Sequence, residues 1–238
     1  MTVSFQHGPC GGQAAGHAPA GVPAAAIHPK GSVDRAIDCF ASGTLVTTRR
    51  GKRPVERLRP GDMLLTRDSG FQPLLWRGMR PAVMPPFVAG AKPVLIRAGA
   101  LGPGQPERDM IVSASHRLLS TDAALLRGFG EPEALIEAHV LAGRPGIGHV
   151  APDAITYVHL LMDRHEVILA ENTWTESFRL TPSVLRKMAG AGLNRLERAM
   201  PHLSVSAHVS VHARARETVQ APARLCLSAA AAAQPLGA

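Results

Sequence analysis

The sequence predicts a mainly β fold, and three features of the chain support this class. Short runs rich in β-branched residues are separated by turn signals, as in residues 44–66. The chain holds 23 glycines and 20 prolines but few aromatic residues, which favours many turns and loops. Residues 157–170 alternate in hydrophobicity on either side of a tight bend, as two paired strands do. With 238 residues, 45% of them hydrophobic, the chain is long enough for one sizeable core.

The predicted β domain spans residues 36–178. Residues 79–93 contain four prolines, which cannot donate to a central ladder, and we predict an extended loop there. Residues 134–141 carry mixed signals that suit either a short helix or a strand. The domain contains two halves with a similar succession of strand, turn and strand. Strands are predicted at residues 44–48, 63–66, 71–78, 94–97, 110–113 and 117–119, and within 157–170.

The two ends of the chain differ from this domain. Residues 1–35 are rich in Gly, Ala, Pro and His without any period and are predicted to be disordered. An amphipathic helix is predicted over residues 179–201, because Thr181 is a suitable N-cap before Pro182 and apolar residues recur at multiples of four. Residues 202–238 are predicted to be a largely disordered tail.

Composition argues against several classes of function. The net charge is +8, but no Lys/Arg cluster is interleaved with aromatic residues, so no nucleic-acid partner is expected. The three cysteines are far apart and the histidines lack HExxH spacing, so we expect no metal and no other cofactor. No run approaches the roughly 20 apolar residues of a membrane span. Residues 1–30 lack signal-peptide features, which favours a cytoplasmic location by default; leaderless secretion would leave no trace in the sequence.

Cys39 is the candidate nucleophile of the chain. Its thiol is positioned to attack the carbonyl of Asp38, directly upstream, and so to convert a peptide bond into a thioester. This acyl shift requires a base for the thiol proton, donors for the oxyanion and an acid for the leaving amine. The competing interpretation is a small buried hydrophobe, the commonest fate of a free cysteine. Cys10 and Cys226 lie in the flanking segments and are interpreted as incidental.

Three stretches, in the right order, resemble the motifs of the Hint (hedgehog/intein) self-processing domains. Cys39-Phe-Ala-Ser-Gly-Thr44 resembles the opening motif, Ser113-Ala-Ser-His116 the Thr-x-x-His motif, and residues 157–165 the third motif. A Pro-Gly-Asp turn and an Asp-Arg-His-Glu segment, both present here, recur in bacterial stand-alone Hint-type domains. The resemblance covers about residues 37–178. It implies a Hint-type horseshoe of short antiparallel strands with pseudo-two-fold symmetry, followed by a C-terminal α-helix.

The resemblance also implies roles for the second motif. His116 would contact the scissile amide nitrogen and donate its proton to it. Ser113 stands where the family has Thr, and its hydroxyl offers the same donor and acceptor for orienting the site. The competing interpretation of His116 is a loop histidine bonded to the backbone.

In the third motif, His159 stands where inteins often carry Asp. An imidazole with an ordinary pKa near 6.5 would take the Cys39 proton at neutral pH more readily than a carboxylate. A half-buried strand residue with satisfied hydrogen bonds is an equally weighted interpretation of His159. His165 is interpreted as a structural residue with Asp163 as its candidate partner. Thr44 and Asp38 complete the supporting residues of the predicted site.

The chain lacks the His-Asn pair with which splicing inteins release their downstream flank, and Asn172 falls too early to replace it. We therefore expect N-terminal processing without splicing. An N-to-S acyl shift at Asp38-Cys39 forms a thioester, which water or an unknown nucleophile resolves, so that the chain cleaves its own N-terminal segment in a single turnover. No sterol-binding extension is recognisable. The alternatives are a catalytically silent Hint fold that serves as a binding module, and a thiol hydrolase or transferase acting on other proteins.

Overall fold

The computed structural model describes residues 38–83, 92–127, 131–181, 184, 194, 196–198 and 225–227. Almost all of the regular structure in these residues is β, which confirms the predicted fold class. The helical elements of the domain are short: a 3₁₀ turn at Val55–Arg57, α1 (Ala123–Leu126) and α2 (Ala138–Leu141). The strands are β1 (Phe40–Ala41), β2 (Leu45–Thr48), β3 (Gly51–Pro54), β4 (Met63–Thr66), β5 (Gly70–Val83), β6 (Val94–Ile96), β7 (Met110–Val112), β8 (Arg117–Ser120), β9 (Ala134–Glu137), β10 (Ile147–His149), β11 (Ala154–Met162), β12 (Val167–Ala170), β13 (Thr173–Glu176) and β14 (Leu225–Leu227).

The strands form one continuous sheet in the order β10-β6-β7-β1-β11-β5-β4-β2-β12-β13-β8-β9-β14, with β3 attached to β2. Neighbouring strands are antiparallel throughout, apart from β14, which runs parallel to β9. The long strand β5 joins the two halves of the sheet, because its first residues pair with β4 and the remainder pairs with β11. The shortest strand, β1, lies between β7 and β11.

The predicted loop over 79–93 is wrong for residues 79–83, which continue β5. Pro81 pairs with Thr156 of β11, although proline has no N–H to donate. Pairing with β4 ends at Pro73, so within the described chain this part of β5 has a strand on one side alone. An unpaired edge tolerates proline because no ladder hydrogen bond is lost there.

Five strands are not predicted from the sequence: β1, β3, β10, β13 and β14. β3 is Gly-Lys-Arg-Pro, which shows no alternation of apolar residues, and the hairpin with β2 determines its conformation. β13 follows a tight turn in which Glu171 and Asn172 both have positive φ, 46° and 60°. That pair of angles is typical of a two-residue β-hairpin turn. The mixed stretch 134–141 contains both predicted alternatives, the strand β9 followed by the helix α2.

The predictions for the two ends lie largely outside the described residues. This holds for the predicted disorder of 1–35 and for most of the tail 202–238, in which only β14 is described. In the predicted helix 179–201, the described residues beyond 181 are helical and include the buried Val184 and Leu196. Among the residues that the structure describes, no helix has the length and apolar character required to cross a bilayer.

The interior consists of two apolar clusters. The larger one joins the buried faces of strands from both halves of the sheet. The smaller one surrounds Cys39, which is 2% exposed, and draws its side chains from β1, β5, β11 and the segment after β13. Its other buried members are Ala41, Trp76, Ile155, Tyr157, Leu161, Phe178, Leu180, Val184 and Leu196.

Gly78 leaves room for the indole of Trp76 on one face of β5. A Cβ atom on Gly78 would lie 2.0 Å from Cη2 of Trp76 and 2.6 Å from its Cζ3. Gly78 is also the register partner of His159 in β11. Any side chain at position 78 therefore displaces Trp76 from the cluster around Cys39.

We predict that Gly78→Ala destabilises the protein, because the new methyl group overlaps the Trp76 ring. The expected loss in the free energy of unfolding is about 1–3 kcal/mol. Gly148→Ala is the matched control, since Gly148 is also a strand residue and a Cβ there meets nothing within 4 Å. The control should leave stability unchanged or raise it by about 0.5 kcal/mol. Urea unfolding of both variants measures the difference, and equal midpoints would contradict the packing described here.

Candidate active site

Ser113 holds the backbone of Cys39 on both sides of its Cα atom. The Cys39 N–H donates to Ser113 Oγ at 3.1 Å, and the Ser113 N–H donates to the Cys39 carbonyl oxygen at 3.0 Å. Ser113 directly follows β7, and Cys39 directly precedes β1, so the pairing of these strands brings the two residues together. The scissile peptide bond predicted from the sequence is therefore held at its nitrogen by a hydroxyl group.

His159 lies against both the thiol of Cys39 and the carbonyl group of Asp38. The distance from Cys39 Sγ to His159 Nδ1 is 3.4 Å, and that to Nε2 is 3.8 Å. The same Nδ1 is 3.2 Å from the carbonyl oxygen of Asp38. The register Phe40↔Val158 between β1 and β11 produces this arrangement. One imidazole nitrogen thus faces the nucleophile and the oxygen on which negative charge would develop.

Burial keeps these groups neutral. It lowers the pKa of His159 to about 4, so the imidazole is unprotonated at pH 7. Burial also raises the pKa of the Cys39 thiol well above its ordinary value. A side-chain hydrogen bond with Ser113 opposes this rise. The resting site therefore contains a thiol and a neutral base in contact.

Aromatic side chains surround His159. The Trp76 ring lies nearly parallel to the imidazole, with an interplanar angle of 9° and a centroid distance of 6.4 Å. The Phe178 ring centroid is 5.0 Å from that of His159. These contacts restrict the orientation of the imidazole and exclude water from it, which is the physical cause of its low pKa.

His116 is buried at the start of β8, and its backbone N–H donates to the Ser113 carbonyl oxygen at 3.1 Å. Its Nε2 contacts Thr175 Oγ1, whose own hydrogen is donated to the Arg117 carbonyl oxygen at 3.0 Å. This network assigns the proton of His116 to Nε2. Nδ1 is then an acceptor, and it is buried without a hydrogen-bond partner among the residues that the structure describes. Burial lowers the pKa of His116 to about 4.

Asp38 contributes a buried carboxyl group as well as the scissile carbonyl. It forms a side-chain hydrogen bond with Glu176, and burial together with the charge of Glu176 raises the pKa of Asp38 well above its ordinary value. Glu176 is 0% exposed and accepts from the Arg117 N–H at 2.8 Å and from Arg117 Nη1 at 3.2 Å. Although burial opposes ionisation, Arg117 and His165 lower the pKa of Glu176.

The remaining predicted residues lie around this site rather than in it. The Thr44 hydroxyl donates to the Ala41 carbonyl oxygen at 2.8 Å and supports the turn after β1. His165 was expected beside Asp163, but its Nε2 lies 3.1 Å from Glu176 Oε2, and Asp163 is exposed at the bend after β11. The structure therefore brings together Cys39, Ser113, His159 and Asp38. His116, Thr44 and His165 lie around them, whereas Asp163 is exposed at the bend after β11.

Sequence patterns missed Glu176 and Arg117. Glu176 stands in a stretch of Thr, Trp and Ser without a recognisable motif, and its partner Arg117 is 59 positions away. No local spacing reveals such a pair, because the antiparallel neighbours β13 and β8 create it. Among the described residues, no cluster of His, Cys, Asp or Glu side chains is arranged to hold a metal ion.

Residues 38–182 match the family model described as the Hint domain. No curated protein matches the chain significantly. Similar solved structures include a DnaB intein from Synechocystis sp. PCC 6803, at 12% identity and a TM-score of 0.37, covering 59% of this chain and 98% of the intein. A bacterial intein-like domain from Clostridium thermocellum is 12% identical, with a TM-score of 0.39 and coverage of 58% and 97%. The gp41-1 intein is 13% identical, with a TM-score of 0.34 and the same coverage.

The low pKa of His159 predicts a specific dependence of stability on pH. The unfolded chain binds a proton at this residue below about pH 6.5, whereas the folded state resists protonation until about pH 4. The stability contribution is thus fully present above pH 6.5 and falls as the pH drops from 6.5 toward 4. Between pH 7 and pH 5, the free energy of unfolding should fall by about 2 kcal/mol more than in His159→Gln.

Urea unfolding at a series of pH values, with Cys39→Ala in every protein, measures this difference. His149→Gln is the control, because His149 is exposed. Its pH profile should run parallel to that of the parent protein. A His159→Gln profile parallel to the parent would show that the imidazole is not held neutral.

Proposed function

Because this chain belongs to the Hint domain family of self-processing domains, we propose that it cleaves its own backbone between Asp38 and Cys39. The reaction is an N-to-S acyl shift followed by resolution of the thioester. The substrate is the chain's own N-terminal segment, and the reaction is a single turnover without splicing.

One observation carries this proposal: His159 Nδ1 lies 3.4 Å from Cys39 Sγ and 3.2 Å from the Asp38 carbonyl oxygen. A base for the thiol and a donor for the oxyanion are thus the same nitrogen atom. Cys39 itself carries both the nucleophile and the leaving amine. The arrangement supports an attack on the adjacent peptide bond in preference to one on an outside substrate.

The first step starts from the neutral tautomer of His159 that carries its proton on Nε2 and has a free lone pair on Nδ1. The Cys39 thiol transfers its proton to Nδ1, and the sulfur attacks the carbonyl carbon of Asp38. Negative charge develops on the Asp38 oxygen. The N–H bond newly formed on Nδ1 then donates to that oxygen and stabilises the tetrahedral intermediate. Because the site is dry, this interaction is stronger than it would be in water.

In the second step, the C–N bond breaks and the Cys39 nitrogen takes up a proton. Ser113 is placed to pass it on, since its Oγ contacts the Cys39 N–H at 3.1 Å and also bonds to the Cys39 side chain. This assignment differs from the acid role expected for His116, whose proton lies on Nε2 toward Thr175. His116 acts here as a positioning residue for Ser113. Ser113 then regains a proton from the His159 imidazolium, so that both residues return to their neutral forms and, overall, the thiol proton moves to the amine.

In the third step, water or another nucleophile attacks the thioester at the Asp38 carbonyl carbon. The Cys39 thiol leaves and regains a proton. With water, the products are a peptide ending in the Asp38 carboxylate and a domain that begins at Cys39. The absence of the terminal His-Asn pair leaves no residue to cyclise downstream, so the reaction ends there.

A catalytically silent Hint fold that serves as a binding module is the second candidate. The observation that favours it is the burial of Cys39, which raises the pKa of the thiol and disfavours the thiolate. The two candidate functions differ in whether the Cys39 thiol transfers its proton to His159 Nδ1.

We predict that the purified chain yields a fragment beginning at Cys39 and that hydroxylamine, which attacks thioesters, accelerates its appearance. Cys39→Ala should give the intact mass alone, since no sulfur is available to attack. Intact-mass spectrometry over time measures both proteins. A single uncleaved mass for the parent chain under every condition would support the silent module instead.

We also predict that His159→Gln slows cleavage by roughly 10²- to 10⁴-fold, the usual contribution of a positioned general base. His149→Gln, which changes an exposed histidine of β10, should cleave at the parent rate. The appearance of the Cys39 fragment, followed by mass spectrometry, gives both rates. A His159→Gln rate equal to that of the control would remove His159 from the mechanism.

A further inference from the structure

The side chain of Asp38 is buried, although the proposed reaction uses only its main-chain carbonyl group. Asp38 is 7% exposed, and its carboxyl group forms a hydrogen bond with Glu176. A carboxyl group that had no role would be expected at the surface, where water solvates it at no cost. The burial of this carboxyl group beside the scissile bond therefore indicates a role for the side chain.

The partner of Asp38 is a carboxylate that is itself held firmly in place. Glu176 is fully buried and accepts two hydrogen bonds from Arg117, at 2.8 and 3.2 Å, and lies 3.1 Å from His165 Nε2. These partners come from β8 and from the segment between β11 and β12. Glu176 therefore stays ionised and presents an acceptor to whatever side chain occupies position 38.

Two adjacent carboxyl groups in a dry site cannot both be ionised, so one of them keeps a proton. Arg117 stabilises the charge on Glu176, and the proton therefore resides on Asp38, whose pKa is raised by burial and by Glu176. Asp38 is in this way a hydrogen-bond donor to Glu176. The charged groups that face it are Glu176, Arg117 and Arg179, with Cys39 adjacent in the chain.

We propose that Glu176, with Arg117 and His165, forms a subsite that selects the residue preceding the scissile bond, and that it accepts a neutral side chain able to donate a hydrogen bond. This inference rests on the proposed cleavage and names the substrate class for it: segments that end in Asp or Asn. The hydrogen bond fixes the side chain of Asp38 and thereby holds its carbonyl oxygen 3.2 Å from His159 Nδ1. Asp38 is therefore a specificity-determining and positioning residue.

The test compares Asp38→Asn with Asp38→Leu, which are similar in size but differ in hydrogen bonding. Asn keeps a donor for Glu176 and should cleave within about threefold of the parent rate, whereas Leu leaves Glu176 short of a donor and should cleave roughly 10- to 100-fold more slowly. Asp153→Leu, at an exposed carboxylate before β11, is the control and should not change the rate. Equal rates for Asn and Leu would overturn the proposal.

A pH series separates recognition from a general loss of structure. Ionisation of Asp38 beside Glu176 removes the donor, so the parent rate relative to that of Asp38→Asn should fall as the pH rises through the raised pKa of Asp38. A change in fold alone would leave that ratio constant. A constant ratio across the series would therefore count against the subsite.

A second measurement keeps the subsite testable when no variant cleaves. In Cys39→Ala, carbon-13 NMR of the Asp38 carboxyl carbon should show a protonated acid well above pH 4, near which an ordinary Asp ionises. Glu176→Gln should lower the Asp38 pKa toward that ordinary value, because the neighbouring charge is gone. A protonated Asp38 in a chain that never cleaves would support the subsite and contradict the proposed function. An Asp38 that ionises near pH 4 would overturn the subsite.

Discussion

The candidate site depends on a strand of two residues held between longer neighbours. β1 lies between β7 and β11, and this position exposes the backbone of Cys39 to Ser113 on one side and its thiol to His159 on the other. The pairing of β1 sets the register of Cys39 against Ser113 and His159, but a strand of two residues contributes few ladder hydrogen bonds. Ser113 accepts a hydrogen bond from the Cys39 N–H and donates one to the Cys39 carbonyl oxygen. These bonds and the side-chain hydrogen bond between Asp38 and Glu176 supply the remaining restraint on the peptide bond.

Burial determines the electrostatics of the site. It keeps the His159 imidazole and the Cys39 thiol neutral, so that charge appears only when the proton moves between them. The same low polarity strengthens each hydrogen bond to a developing charge. Glu176 is the exception, since Arg117 pairs with it and keeps it ionised inside the protein. The site thus combines a neutral reactive pair with one compensated buried charge.

Alternating hydrophobicity and turn residues were sufficient to predict the β class and most of the strands. Hairpins form between segments close in sequence, so the residues that favour them can be recognised locally. The errors came from residues whose conformation depends on a distant partner. Pro81 is tolerated in β5 because, among the described strands, only β11 pairs with that part of β5, and this depends on where β4 ends. Glu176 is buried because β13 pairs with β8 and so meets Arg117.

The sequence by itself determined which groups can react: Cys39 next to a carbonyl, with Ser113, His116 and His159 in separate motifs. Their chemistry is intrinsic to the side chains and needs no fold to be recognised. Only the tertiary structure decided the distances and protonation states, since these depend on contacts between residues far apart in the chain. It placed His159 Nδ1 3.4 Å from the thiol, turned Nε2 of His116 toward Thr175 and enclosed the Asp38 carboxyl group. Strand register and burial of this kind arise only when the whole sheet forms.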